Sequence, residues 1–242
     1  VVKTADVVKT ADVVKTADGA RTADGDGDWA ASVLLAESVY RRLRDQILTG
    51  RLAPGQPLSI PALAAQLNVS RSPVRESVAQ LVAEGMATAV PYAGARVAEV
   101  DEHTIVGVFE LREVLEGLAA RHAATSLTTA GLAELECMVA EQRQLLCGGP
   151  DEARDALADL RFHAFIRDFS PNDALRDALA RLEAQSHLHR STMWALELNR
   201  QLAVREHAAI VAALQAGDPA EAARAASSHV AGLRVRMTRR PS

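Results

Sequence analysis

The sequence predicts a mainly α protein: an N-terminal winged helix-turn-helix with a small β-hairpin wing, then a C-terminal antiparallel all-α bundle of about six helices. Three observations carry this. Hydrophobic residues make up 48% of the 242 residues and aromatics only 3%, a usage that suits helices better than sheets built on β-branched and aromatic side chains. Apolar positions recur at helical spacing through most of the chain. The one alternating stretch, "ATAVPYAGARVAEV", contains Pro91 and Gly94 and reads as a short hairpin.

The organisation follows in order. Residues 1–32 are expected to be a disordered low-complexity tail: VVKTAD three times, then GARTAD and GDGDWAAS. Six-residue units with two valines are too short to build the core a solenoid needs. All three lysines lie in this tail, and the rest of the chain uses arginine alone. Residues 33–98 are assigned to the winged helix-turn-helix. A first helix carries Val39, Leu43, Ile47 and Leu48 on one face and is closed by Gly50. "SIPALAAQLN" is a short second helix, with Ser59 as cap and Pro61 in the first turn. Asn68 and Val69 turn the chain into a third helix, whose buried face is Val74, Val78, Leu81 and Val82. Residues 99–242 are assigned to the bundle. Its helices are expected at about 102–124, 128–147, 151–169, 172–193, 196–216 and 218–238, broken at "SLTT", "CGGP", "SPND" and "GDP".

Several function classes are disfavoured at once. No apolar run of about 18 residues predicts a membrane span. No charged-then-apolar leader is recognised, and Cys137 and Cys147 are ten residues apart in one helix-like stretch, too far for a disulfide. A reduced cytoplasmic protein is therefore expected, with both cysteines as small apolar fillers.

The net charge of −4 conceals an asymmetry. Residues 36–98 hold seven Arg against four Asp/Glu, a net of +3, and residues 99–242 hold 16 Arg against 21 Asp/Glu, a net of −5. A basic head on an acidic body points to a localised site for an anionic partner. In "NVSRSPVRESVAQLVAEGM", Ser70 is a suitable N-cap and Pro73 fits the first turn. Arg71, Ser72 and Arg75 then lie off the apolar stripe at the start of the helix, where a recognition helix reaches base edges. Arginine reads guanine O6 and N7 bidentately, and serine hydroxyls suit phosphate. Tyr92, Gly94 and Arg96 on the wing are placed to meet the backbone or minor groove, Gly94 permitting close approach.

In the bundle, Asp159 and His163 are spaced i, i+4 and share a helix face. His207 lies ten residues before Gly217 and His229 twelve after it. A fold-back at "GDP" puts both roughly 15–18 Å from the turn, at similar height. One carboxylate and three imidazoles make a plausible divalent metal centre, with zinc, nickel and manganese all open. An octahedral ion on four protein ligands keeps two positions for water or an effector's oxygens. Arg112 either pairs an effector carboxylate or forms an i, i+4 surface pair with Glu116. His103, His122, His187 and His189 read as surface or boundary residues.

"LNVSRSPVRESVAQLVAEGMATAVPYAGARV" resembles the winged-helix domain of the GntR family of bacterial transcription regulators. "FELREVLEGLAARHAA" resembles the opening helix of the FadR-type C-terminal ligand-binding domain, called FCD. The resemblance spans about residues 35–238. It implies base and phosphate contacts for Arg71 and Arg75 and a wing-tip role for Gly94. It also implies metal ligation by Asp159, His163, His207 and His229, as in the metal-binding subset of FCD domains. One departure stands out: the family's second helix usually starts near a charged residue that holds the DNA backbone, and here the positions are Ile60, Pro61 and Ala62.

The expected function is thus a sequence-specific transcription regulator, a repressor by resemblance. A small carboxylate metabolite at the metal would control its grip on palindromic operator DNA, with the bundle as homodimer platform and no membrane partner. The alternatives are a regulator with a purely structural metal and a bundle used for dimerisation or protein interaction, or a metalloenzyme. The second lacks a recognisable general base, nucleophile motif or phosphate loop.

Overall fold

The computed structural model describes residues 25–188 and 192–238. The repeat segment 1–24 and His189 lie outside the described residues. Helix α1 spans Gly25–Leu48 and so begins ahead of residue 33.

The head is built as the apolar spacing dictates. Val39, Leu43 and Ile47 of α1 enter one core with Leu63 and Leu67 of α2 (Ile60–Leu67), with Val74, Val78 and Leu81 of α3 (Arg71–Ala83), and with Val97. Gly50 leaves α1 with φ 71°, a left-handed conformation that glycine adopts without penalty. Asn68 takes φ 54° at the end of α2 and turns the chain into α3. The wing is an antiparallel pair, β1 (Ala87–Val90) and β2 (Gly94–Val97), in the register Ala87 to Val97 and Val90 to Gly94. A bridge from Pro57 to Arg96 adds a short third edge.

The bundle comprises α4 (Glu102–Ser126), α5 (Thr129–Cys147), α6 (Glu152–Asp168), α7 (Asp173–Leu188), α8 (Glu197–Gln215) and α9 (Pro219–Thr238). Asp101, Thr128 and Asp151 cap three of these by accepting backbone N–H bonds from Thr104, Gly131 and Arg154. Helix α7 is described as far as Leu188; residues 189–191 lie outside the described residues, and residues 192–195 form a 3-10 turn where helix was expected to 193. Helices α4 and α9 pack most closely. A Cβ at Gly117 would press on Ser227 Oγ and stand 3.1 Å from the Ala223 carbonyl oxygen, so the missing side chain of glycine lets the two helices approach this far. Ser227 Oγ then donates to the Glu113 carbonyl at 2.8 Å. Both cysteines are exposed, which corrects their reading as fillers: on α5 the buried stripe is Leu135, Val139 and Gln142. Among the described residues no helix is long and apolar enough to cross a membrane.

Head and bundle share a core. Ala184 and Leu188 of α7 are buried in the head's cluster, and Gln185 lies against Gly85. The C-terminal turn of α7 therefore belongs to both parts.

Candidate metal centre and nucleic-acid interface

The third helix presents the expected face. Its N-terminal turns leave Arg71, Ser72 and Arg75 exposed, while Val74 and Leu81 on the opposite side are fully buried. Ser70 occupies the N-cap position in extended backbone, but its hydroxyl makes no capping bond. Tyr92 stands fully exposed at the wing tip with φ 61°, next to Gly94 at φ 85°, and Arg96 is exposed on β2. Ile60, Pro61 and Ala62 start α2 without a charge.

In the bundle, Asp159 and His163 come from α6, His207 from α8 and His229 from α9. All four are buried. The fold-back at Gly217 brings His207 Nε2 to 3.2 Å from His229 Nε2. His163 Nε2 is 3.1 Å from His229 Nε2. Asp159 Oδ1 is 3.4 Å from His207 Nε2, 3.7 Å from His163 Nε2 and 3.9 Å from His229 Nε2. One ligand atom from each of the four residues thus falls within 4.8 Å of the others. Donors at 2.0–2.2 Å from one ion stand roughly 3.0–3.4 Å apart at right or tetrahedral angles, so the cluster needs only slight contraction around a cation.

Two further observations test that fit. Asp159 Oδ1 is buried with no hydrogen-bond partner among the described residues, an arrangement that is costly unless a cation or donor meets it. Each imidazole is also held by its other nitrogen. His163 Nδ1 meets Glu116 Oε2, His207 Nδ1 meets Gln142 Oε1 at 2.7 Å, and His229 Nδ1 meets Glu206 Oε2 at 2.8 Å. Such partners fix the tautomer that turns the Nε2 lone pair inward and orient the rings. The residues present form a buried Asp/His cluster capable of coordinating a divalent metal ion.

The electrostatics of the protein without an ion follow from the same neighbours. Burial pulls His163 down, but the Glu116 and Asp159 carboxylates outweigh it and hold its pKa at about 10. Burial, joined by the positive charge of His229, pushes His207 down to about 3. Burial also lowers His229. Asp159 is held well below the usual carboxylate range, because His163 and the neighbouring imidazoles overcome its desolvation.

Arg112 is buried, so its pairing with Glu116 is not the surface contact that the spacing first indicates. Its Nε and Nη2 both donate to Glu116 Oε1, at 2.8 and 2.5 Å, and Nη1 donates to Ser186 Oγ at 2.8 Å. Three of its five N–H donors are thus engaged, and through Glu116 it supports His163. His187 sits at a boundary position, as its sequence reading allows, but it also reaches the cluster. It is nearly buried, its Nδ1 donates to the Glu183 carbonyl at 2.9 Å, and its Nε2 lies 3.5 Å from Asp159 Oδ2. No spacing rule tied His187 to Asp159, because α7 meets α6 only in the fold. Glu206 was legible only as the neighbour of His207, and it serves His229 instead.

A cavity of about 470 Å³ reaches this cluster through Asp159 and His187. The fold and the site together define a DNA-binding regulator with a helical, metal-capable sensory domain. Known proteins agree. Residues 35–97 match the model for bacterial regulatory proteins of the gntR family, and residues 107–232 match the FCD domain. The Probable D-xylose utilization operon transcriptional repressor of Paenarthrobacter nicotinovorans is 31% identical over 210 residues, spanning 84% of this chain and 91% of that protein. The HTH-type transcriptional repressor RspR of Escherichia coli K12 is 27% identical over 199 residues, 80% of this chain and 85% of that one. Among solved structures, E. coli McbR/YncC superposes with a TM-score of 0.70 at 25% identity, over 82% of this chain and 94% of that one. The chain belongs to the gntR family, with an FCD domain, and is a sequence-specific DNA-binding regulator.

Proposed function

We propose that this chain is a homodimeric repressor of the FadR type, acting in the cytoplasm on palindromic operator DNA and released or engaged by a small carboxylate metabolite at a metal centre. Arg71 and Arg75 read bases, Ser70 and Ser72 hold phosphate, and Tyr92, Gly94 and Arg96 set the wing on the backbone or in the minor groove. Asp159, His163, His207 and His229 hold zinc, nickel or manganese. Arg112 keeps Glu116 and hence His163 in place at the floor of the effector cavity, and a dimer supplies two heads for two half-sites. Repression is supported by the relatives from P. nicotinovorans and E. coli, both named as transcriptional repressors.

The observation that carries the reading is the buried Asp159 Oδ1, without a hydrogen-bond partner among the described residues, facing three inward Nε2 atoms beside a cavity. The test is binding to labelled DNA from upstream of the chain's own gene, at two salt concentrations with excess competitor. A competitor-resistant shift, lost in Arg71→Ala and altered by a carboxylate only in metal-loaded protein, supports it. A carboxylate response that survives metal removal would make the metal purely structural.

A further inference from the structure

The last turns of α7 are built into both halves of the molecule. Ala184 and Leu188 are buried in the head's core, and Gln185 lies against Gly85 just past α3. From the same turns, Ser186 Oγ accepts from Arg112, which holds Glu116 against His163. His187, the next residue, reaches the cluster directly, with its Nε2 3.5 Å from Asp159 Oδ2. Asp159 thus faces three imidazoles with Oδ1 and a fourth with Oδ2.

The ring of His187 is turned in the sense a ligand needs. Its Nδ1 lies 2.9 Å from the Glu183 carbonyl oxygen and 3.2 Å from Ser186 Oγ. A carbonyl oxygen only accepts, so Nδ1 carries the proton, and in that tautomer Nε2 presents a lone pair. The same division holds in the three neighbouring histidines, whose Nδ1 atoms meet Glu116, Gln142 and Glu206. A lone pair facing a carboxylate oxygen is unfavourable unless a donor or a cation meets both. His187 does not belong to the compact set of four whose donor atoms lie within 4.8 Å of one another, so it joins an ion only if the end of α7 moves towards α6.

Resting on the proposed metal centre, we propose that His187 is a further ligand of the ion, and that loading the site thereby fixes the α7 turn on which the DNA-binding head is packed. The four inner residues hold the ion on α6, α8 and α9. Among the described residues none of those helices contributes to the head's core, whereas α7 does. A helical turn is a stiff, hydrogen-bonded unit, so a shift that seats the His187 ring carries Ala184 and Leu188 with it. Metal occupancy and DNA affinity are then linked equilibria, each biasing the other.

The test loads the full chain to saturation with cobalt(II) and records its proton NMR spectrum in water. A ligated imidazole that keeps its Nδ1–H gives one exchangeable resonance, shifted far outside the ordinary range by the paramagnetic ion, so histidine ligands are counted directly. Four such resonances are expected, one each from His163, His187, His207 and His229, falling to three in His187→Ala, where the inner four residues retain the ion. His187→Phe keeps the volume of the ring and is expected to give the same three. Affinity alone would not discriminate, because losing an outer partner of a ligand also costs about 10–100-fold. Three resonances in the native chain, unchanged in both variants, would overturn the proposal and leave the metal centre standing. No cobalt uptake and no shifted resonance would remove the metal centre itself, and the proposal with it. Loading is also expected to change operator affinity of the native chain by about fivefold or more and to leave that of His187→Ala unchanged. An equal change in both proteins would show that the ion acts on the head by another route, and would overturn the link through α7.

Discussion

The Nε2 atoms of His163 and His229 lie 3.1 Å apart although each ring already faces a carboxylate with its Nδ1, Glu116 for His163 and Glu206 for His229. Were both rings neutral, their Nε2 lone pairs would point at each other; the raised pKa of His163 puts a proton between them when no ion is bound. Only a shared proton or a cation makes the arrangement favourable, and a divalent ion satisfies His207 and Asp159 as well.

Removing one ligand is therefore expected to abolish metal retention without unfolding the bundle. His229→Ala should carry no stoichiometric metal by elemental analysis. In the native chain, metal at 100 times its Kd contributes about 2.7 kcal/mol, a Tm rise of roughly 5–10 °C for a domain of this size. The variant should show no such rise, and an equal rise would place the ion elsewhere.

Metal uptake should depend on pH with a defined sign. Without an ion, His163 is protonated at neutral pH, since its neighbours hold it at about 10. The ion needs the Nε2 lone pair, so loading at pH 7 expels a proton and affinity falls as pH falls. In the metal-free protein the sign is opposite: the raised pKa stabilises the fold fully below about 6.5, and this contribution is lost as pH rises towards 10. Calorimetry in two buffers of different ionisation enthalpy counts the released proton, and zero release would refute the assignment.

Glu206 binds no ion itself but orients His229, and it takes two further bonds of 2.7 Å from Arg236. Glu206→Gln is expected to lower metal affinity about 10–100-fold, the usual cost of losing such a partner, while the other ligands remain. Competition with a chromogenic chelator measures it. An unchanged Kd would show that the His229 ring is held by packing alone.

Arg71→Ala and Arg75→Ala should each weaken operator binding by about 1–3 kcal/mol and relax specificity at one position, if they read bases. Arginines that only contact phosphate would instead weaken all sequences alike and lower the salt dependence. Binding curves on operator and scrambled DNA at two salt concentrations separate the two.

The sequence by itself determined the order of elements and singled out the four residues of the metal-capable cluster. The spacing of Val39, Leu43 and Ile47 dictates which face of α1 is buried, and the "GDP" turn sets His207 and His229 at equal height, because helical rise and period are local properties of the backbone. What only the tertiary structure decided was everything that depends on which helix faces which. Helix α7 brings His187 to Asp159, Glu206 serves the histidine of the next helix rather than its own neighbour, and Arg112 turns inward with Glu116 instead of out to solvent. Leu188, placed in the bundle by sequence, packs in the head's core, and a cavity opens between the two parts. Such relationships rest on side-chain packing between segments distant in sequence, and no local period encodes them.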